Sequence, residues 1–173
     1  MQRIRLLLCG MLVALFADCA TPTRPVGQDV GLDLVLSAAS GGPGEVVTAT
    51  ATVSNLGETA IYHCEGCGCG VGIDLGVLDP NGRPVGVVDP RSPHPTCADD
   101  LMALLPKKQK YAVLTFNGTL YDATGSPYAA PPGKYTIIAR FEYQRSAVPG
   151  DDVNVLQKQA RLSWDTKGLP QGG

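Results

Sequence analysis

The amino-acid sequence predicts an all-β fold, an antiparallel β-sandwich, on the strength of three observations. Apolar residues recur at every second position over most of the chain after residue 30, which is the period of a strand with one buried face. The 21 glycines and 14 prolines among 173 residues interrupt these runs at short intervals and leave little room for long helices. Hydrophobic residues make up 44% of the chain and charged residues 17%, a composition that can build a packed core.

Two alternating runs, residues 32–36 and 47–53, are the first predicted strands. In the first run three leucines occupy every second position, and in the second two valines and two alanines alternate with three threonines. Turn-forming residues at 40–44 and 54–58 end these runs. A short apolar run at 59–63 is the next predicted strand.

A β-hairpin is predicted after a segment rich in cysteine and glycine. Residues 71–77 alternate between apolar and other residues, residues 79–82 read Asp-Pro-Asn-Gly, and the return strand is predicted at 84–88. Residues 99–105 are predicted to form a single helical turn, because three leucines there fit one helical face.

The last three predicted strands cover residues 111–116, 134–143 and 153–164. In the second of these, five apolar side chains share one face: Tyr135, Ile137, Ala139, Phe141 and Tyr143. We expect this face to line the core, because large buried side chains contribute roughly 1.5–3 kcal/mol each. Seven to eight strands of this spacing predict an all-β, immunoglobulin-like antiparallel β-sandwich over residues 30–165, followed by a flexible tail at 166–173.

Residues 1–19 are predicted to be an export signal. Two arginines precede about twelve apolar residues, which are too few for a bilayer core that needs roughly twenty. The run ends at Cys19, and a Thr/Pro-rich tether, residues 20–29, follows; this is similar to a bacterial lipoprotein signal, in which the cysteine is acylated. We therefore expect lipidation of Cys19 and a location at the cell envelope. Asp18 stands where such signals have a small residue, so cleavage near residues 17–20 without a lipid, giving a periplasmic or secreted protein, is the alternative.

Four cysteines follow the signal: Cys64, Cys67, Cys69 and Cys97. An exported protein meets oxidising conditions, and one residue between Cys67 and Cys69 leaves them too close to pair without strain. We therefore expect a disulfide between Cys97 and one of the other three. A zinc or copper site and a redox-active thiol are the alternatives. The candidate metal ligands are His63, Cys64, Cys67, Cys69 and Cys97.

The sequence shows no catalytic constellation. Its two histidines, His63 and His94, have no serine or cysteine nucleophile motif beside them, so we predict a non-enzymatic protein without a cofactor. A net charge of -2 and a pI near 5.6 give no basic field for phosphate backbones, so no nucleic-acid partner is expected. The predicted function is binding or scaffolding of another macromolecule, a protein partner, at the cell envelope.

Four segments carry a resemblance to a known family. They are VSNLGETAIY (53–62), GVLDPNGRPV (76–85), Leu-Pro at 105–106 leading into YAVLTFNG (111–118), and APPGKYTIIARFEY (130–143). Together they resemble the bacterial intracellular proteinase inhibitor family, the BsuPI-type domain, although after Leu-Pro this chain has lysines at 107, 108 and 110 where the family has a glycine-containing turn.

The resemblance to the BsuPI-type family implies an immunoglobulin-like sandwich. It also makes proteinase inhibition an alternative function, with a protease as the partner. Residues 64–70 and 89–97 are the segments that an inhibitor of this kind would present. An envelope metal-binding protein that uses the cysteine cluster is the second alternative.

Overall fold

The computed structural model describes residues 29–64, 72–91, 101–148 and 153–166, and the regular structure in these ranges is entirely β. Twelve strands are present there, eight of them with four or more residues. They are β1 (Val30–Leu36), β2 (Ser40–Gly41), β3 (Val47–Asn55), β4 (Ile61–Cys64), β5 (Ile73–Leu78), β6 (Pro84–Val85), β7 (Leu101–Leu104), β8 (Gln109–Phe116), β9 (Thr119–Tyr121), β10 (Pro127–Ala129), β11 (Gly133–Tyr143) and β12 (Asn154–Trp164). The predicted all-β, immunoglobulin-like sandwich is confirmed.

Two sheets form the sandwich. One has the strand order β1-β3-β8, and the other has the order β2-β12-β11-β5-β6. Two short pairs, β4–β7 and β9–β10, complete the described architecture. Within it the strand pairs are antiparallel, apart from the short β2–β12 pair, which is parallel. Strand β11 is central to the larger sheet, because it pairs with β12 along its whole length and with β5 over six residues.

The sheets enclose two hydrophobic clusters, and β11 contributes large side chains to both. Its five residues predicted to face inward are at most 4% exposed. Towards one end the Trp164 ring meets Phe116 edge-on with 5.0 Å between ring centroids, and Phe116 lies 5.2 Å from Tyr135. Towards the other end Phe141 stacks on Tyr143 at 5.7 Å. The alternation in the sequence therefore identified the buried face correctly.

The β5–β6 hairpin forms at the predicted turn. The Asp79 carboxylate accepts hydrogen bonds of 2.8 Å from the backbone N–H groups of Asn81 and Arg83. The return strand is shorter than predicted, because Gly86 leaves β6 and its carbonyl accepts a 2.9 Å hydrogen bond from the N–H of Tyr121. This bond connects the hairpin to β9.

The predicted helical turn at residues 99–105 is wrong in the part that the structure describes. Leu101–Leu104 is strand β7 and pairs with β4 along its whole length. Leu104 is 6% exposed in the core, and its carbonyl accepts a 2.9 Å hydrogen bond from the side chain of Asn55. Tertiary contacts therefore decide the conformation of a leucine run that is too short to show a period.

Asn55, the last residue of β3, fastens one end of the sandwich. Its side chain is 1% exposed, its Nδ2 donates to the carbonyls of Leu104 and Thr59 at 2.9 Å, and its Oδ1 accepts from the Gly57 N–H at 3.1 Å. Its backbone N–H and carbonyl pair with the β7–β8 turn, residues 105–108, at 3.0 and 2.8 Å. One buried residue therefore joins β3, the β3–β4 loop, β7 and the β7–β8 turn.

Replacing Asn55 with aspartate should lower the free energy of unfolding by about 3 kcal/mol, because the Leu104 and Thr59 carbonyls lose their donor and face a buried carboxylate. The matched control is Asn117→Asp. The Asn117 Oδ1 accepts from the exposed Thr119 N–H at 3.0 Å, a role that a carboxylate oxygen can keep. Urea unfolding measures both variants, and an equal loss in the two would contradict the role assigned to Asn55.

Candidate functional site

The residues selected from the sequence as metal, disulfide, acylation or catalytic candidates are only partly described. His63 and Cys64 end strand β4. The other selected residues lie outside the described ranges: Cys19, Cys67, Cys69, His94 and Cys97. Cys64 is disulfide-bonded, and since every other cysteine lies outside those ranges, the predicted pairing with Cys97 stays a prediction. A sulfur held in a disulfide is not a thiolate, so Cys64 in this state is not a metal ligand.

The His63 side chain is buried between β11 and β8. It is 2% exposed, and its ring centroid lies 5.7 Å from that of Phe141. Its Nε2 lies 3.3 Å from the Nζ of Lys110, so Nε2 is assigned as the acceptor and Nδ1 as the protonated nitrogen. Nδ1 has no hydrogen-bond partner among the described residues, and it faces Gly72, where an added Cβ would lie 2.6 Å away.

Burial, and secondly the positive charge of Lys110, lowers the pKa of His63 from 6.5 to about 4. The ring is therefore neutral at pH 7. Within the described ranges no group of three or more His, Cys, Asp or Glu side chains is placed to hold a metal ion. These observations describe a buried structural histidine rather than a base in contact with a substrate.

A groove of about 370 Å³ opens between residues 84–90 and the β9–β10 hairpin. The hydrogen bond from the Tyr121 N–H to the Gly86 carbonyl links its two sides. Its walls include Pro84, Val88, Pro90, Tyr121, Asp122 and Tyr128. The side chains of Val88 and Tyr128 are 61% and 43% exposed, so the groove presents apolar surface to solvent.

Asp122 fixes the turn of the β9–β10 hairpin beside the groove. Its Oδ1 accepts from the backbone N–H and the hydroxyl of Thr124, at 2.8 and 2.6 Å, and from the Ser126 N–H at 2.9 Å. These hydrogen bonds, that of the Thr124 side chain first, lower the pKa of the Asp122 carboxyl. The groove therefore has a negative charge on a turn that its own hydrogen bonds hold in place.

The groove lies towards the end of the sandwich opposite to Asp29, the first described residue. Strand β1 begins beside the end of β3, where Val30 pairs with Asn55. Strand β8 ends beside the start of β3, where Phe116 pairs with Val47, and the chain passes from there into β9. The nine residues of β3 separate the two ends by about 27 Å at the usual rise of a strand.

Neither this groove nor the hairpin that forms one of its walls is predicted from the sequence. Strands β9 and β10 have three residues each, too few to show a period. The Asp-Ala-Thr-Gly-Ser run at residues 122–126 was the available signal, since such residues form turns.

Comparisons with known proteins add little to these observations. No family model matches the chain, and no curated protein matches it. Among solved structures, the ASH/PapD-like domain of human CEP192 matches with a TM-score of 0.41 and 18% identity, over 91% of this chain and 98% of that one. The sporulation control protein Spo0M from Bacillus subtilis matches with 0.39 and 14%, over 78% and 49%.

A β-glucosidase from Erythrobacter marinus matches with a TM-score of 0.39 and 16% identity over 77% of this chain, which spans 15% of the length of that enzyme. Matches this weak transfer no activity to the chain. None of these structures names the BsuPI-type family, so that resemblance stays a prediction. In the described residues no helix is long and apolar enough to cross a membrane.

Burial of His63 should make the stability depend on pH. Its pKa of about 4 in the folded chain lies below the 6.5 of an ordinary histidine, so the unfolded chain binds the proton first as the pH falls. Stability that is complete above pH 6.5 is therefore lost between pH 6.5 and 4, on the order of 3 kcal/mol. Urea unfolding at pH 7 and pH 4 should show this loss in the native chain and in His94→Gln, and a smaller loss in His63→Gln. An equal loss of stability in the native chain and in both variants would contradict the role of His63 in the pH dependence.

Proposed function

We propose that this chain is an exported, lipid-anchored and non-enzymatic β-sandwich domain that binds a macromolecule at the bacterial cell envelope. The observation that carries the proposal is the placement of the groove. It opens towards the end of the sandwich opposite to Asp29, where the Thr/Pro-rich tether joins the folded part. An anchor at Cys19 would therefore leave the groove pointing away from the membrane and open to a partner.

The groove has the properties of a preformed binding surface. Its proline and tyrosine residues lose little conformational entropy on contact, and the Asp122 hydrogen bonds fix the hairpin before any partner arrives. Open grooves with exposed aromatic side chains are typical of sites that take an extended segment of a partner protein. We therefore place the partner contact at Tyr128 and its neighbours.

Proteinase inhibition and metal binding, the two alternative functions from the sequence, remain proposals with less support. Proteinase inhibition depends on residues 64–70 and 89–97, most of which lie outside the described ranges. A metal-binding function depends on cysteines of which only Cys64 is described, and that residue is disulfide-bonded. Neither alternative has a described surface to support it, whereas the groove residues named above lie in the described ranges.

Acylation of Cys19 is tested by metabolic labelling with a fatty acid. The native chain should carry the label, and Cys19→Ala should lose it and move to the soluble fraction. The matched control is Cys9→Ala, which changes the other cysteine of the signal and should keep the label. Label in Cys19→Ala, or in none of the three chains, would contradict the anchor.

Partner binding is tested with a photo-crosslinking amino acid in place of Tyr128. The matched control is the same substitution at Tyr111, a tyrosine that is 68% exposed on β8 and lies outside the groove. Irradiation of intact cells should give a discrete adduct from position 128 and none from position 111. Adducts from both positions, or from neither, would contradict a binding role for the groove. An adduct with a protease that loses activity would support the inhibitor alternative instead.

A further inference from the structure

We infer that the end of the sandwich next to the tether rests on the membrane, with Leu105, Val148 and Val153 in contact with lipid. We call this surface the tether end. It consists of the loop tips around Asp29: residues 56–59, 105–108, 145–148 and Val153. The inference rests on the lipid anchor of the proposed function and adds a second partner, the lipid surface, to it.

Three exposed aliphatic side chains lie at the tether end. Leu105 is 54% exposed, Val148 is 65% exposed and Val153 is 57% exposed, and all three lie in loops rather than in strands. Loop tips are usually built from polar and turn-forming residues. Aliphatic side chains on the loops around the point where the tether leaves the sandwich therefore offer apolar surface to the membrane that would hold the anchor.

Hydrogen bonds fix the point where the tether leaves the sandwich. The Arg145 guanidinium donates to both carboxylate oxygens of Asp29, at 2.5 and 2.6 Å. The Asp29 carbonyl accepts from the Leu56 N–H at 2.6 Å. Asn55, one residue before Leu56, holds the 105–108 turn through its backbone. The tether therefore starts between the loop that carries Leu105 and the loop that carries Val148.

The length of the tether keeps this end near its anchor. Nine residues, 20–28, separate Cys19 from Asp29. A chain of that length spans at most roughly 34 Å when fully extended. An acylated Cys19 thus holds the tether end at a high local concentration beside the bilayer, where weak apolar contacts are enough to orient the domain.

The charges of the tether end are close to balanced. Lys107 pairs with Glu58 at 2.6 Å, and Arg145 pairs with Asp29. Among the described residues of this end, Lys108 adds one further positive charge. A surface with nearly balanced charge is only weakly attracted to anionic lipid. The membrane contact therefore depends on the aliphatic side chains and is insensitive to salt.

Tryptophan fluorescence tests the contact in the full acylated chain. The chain has one tryptophan, Trp164, which is 3% exposed and serves as a constant background. Val148→Trp and Leu105→Trp report from the tether end, and Val46→Trp is the matched control, since Val46 is 59% exposed beside the start of β3 at the opposite end. Each variant is reconstituted into phosphatidylcholine vesicles with and without bromine on the acyl carbons nearest the headgroup.

The two tether-end reporters should shift to the blue and lose emission in the brominated vesicles, at low and at high salt, whereas Val46→Trp should do neither. If the chain floats with the vesicles but bromine does not quench the tryptophans at positions 148 and 105, the inference is overturned and the anchor is left intact. Equal quenching at all three positions would also overturn it, because the domain would then have no fixed orientation. Failure to float, together with failure to incorporate fatty acid, would overturn both the anchor and the contact that rests on it.

Discussion

The buried amide of Asn55 is the constraint on which one end of the molecule depends. An amide removed from water costs several kcal/mol unless its hydrogen bonds are replaced, and Asn55 replaces them with partners in the β3–β4 loop and in β7. The bond to Leu104 joins residues 49 positions apart in the chain. The position of β7 therefore follows from an interaction with the end of β3 as well as from its own sequence.

The same constraint explains an unusual backbone conformation in the β7–β8 turn. Lys107 has a φ of 60°, in the region that glycine favours and that costs other residues about 1–2 kcal/mol. Its N–H donates to the Asn55 carbonyl at 2.8 Å, and its Nζ donates to the Leu56 carbonyl at 2.9 Å. The exposed ion pair with Glu58 adds little. The BsuPI-type resemblance implies a glycine-containing turn at this position. This chain has Lys107 there instead, and hydrogen bonds to the backbone of β3 and the β3–β4 loop hold it in place.

The sequence predicts the strands in which apolar and polar residues alternate over many positions. It does not predict the short strands, which have too few residues to show an alternation. Strands β3 and β11 alternate over nine and eleven residues, so their buried faces followed from the sequence directly. Strand β7 has four residues and was assigned to a helix, because its conformation depends on β4 and Asn55. The groove depends on the bridge between Gly86 and Tyr121, a contact between residues 35 positions apart that no local pattern encodes. His63 was selected for its chemistry, yet its environment, Phe141 and Lys110 from distant strands, makes it a core residue.

The two ends of the sandwich differ in a way that a rigid core makes functionally useful. Strand β11 runs between the two ends and pairs with β12 along its whole length, so the orientation of one end determines the orientation of the other. The bidentate pair of Asp29 and Arg145 ties the start of the domain to the loop after β11. If the chain is held at Asp29, the groove beside Tyr128 is held about 27 Å away, roughly the length of β3, and on the far side. A partner would then approach the groove from a defined direction. The loss of rotational entropy on binding would be smaller than for a domain that tumbles freely.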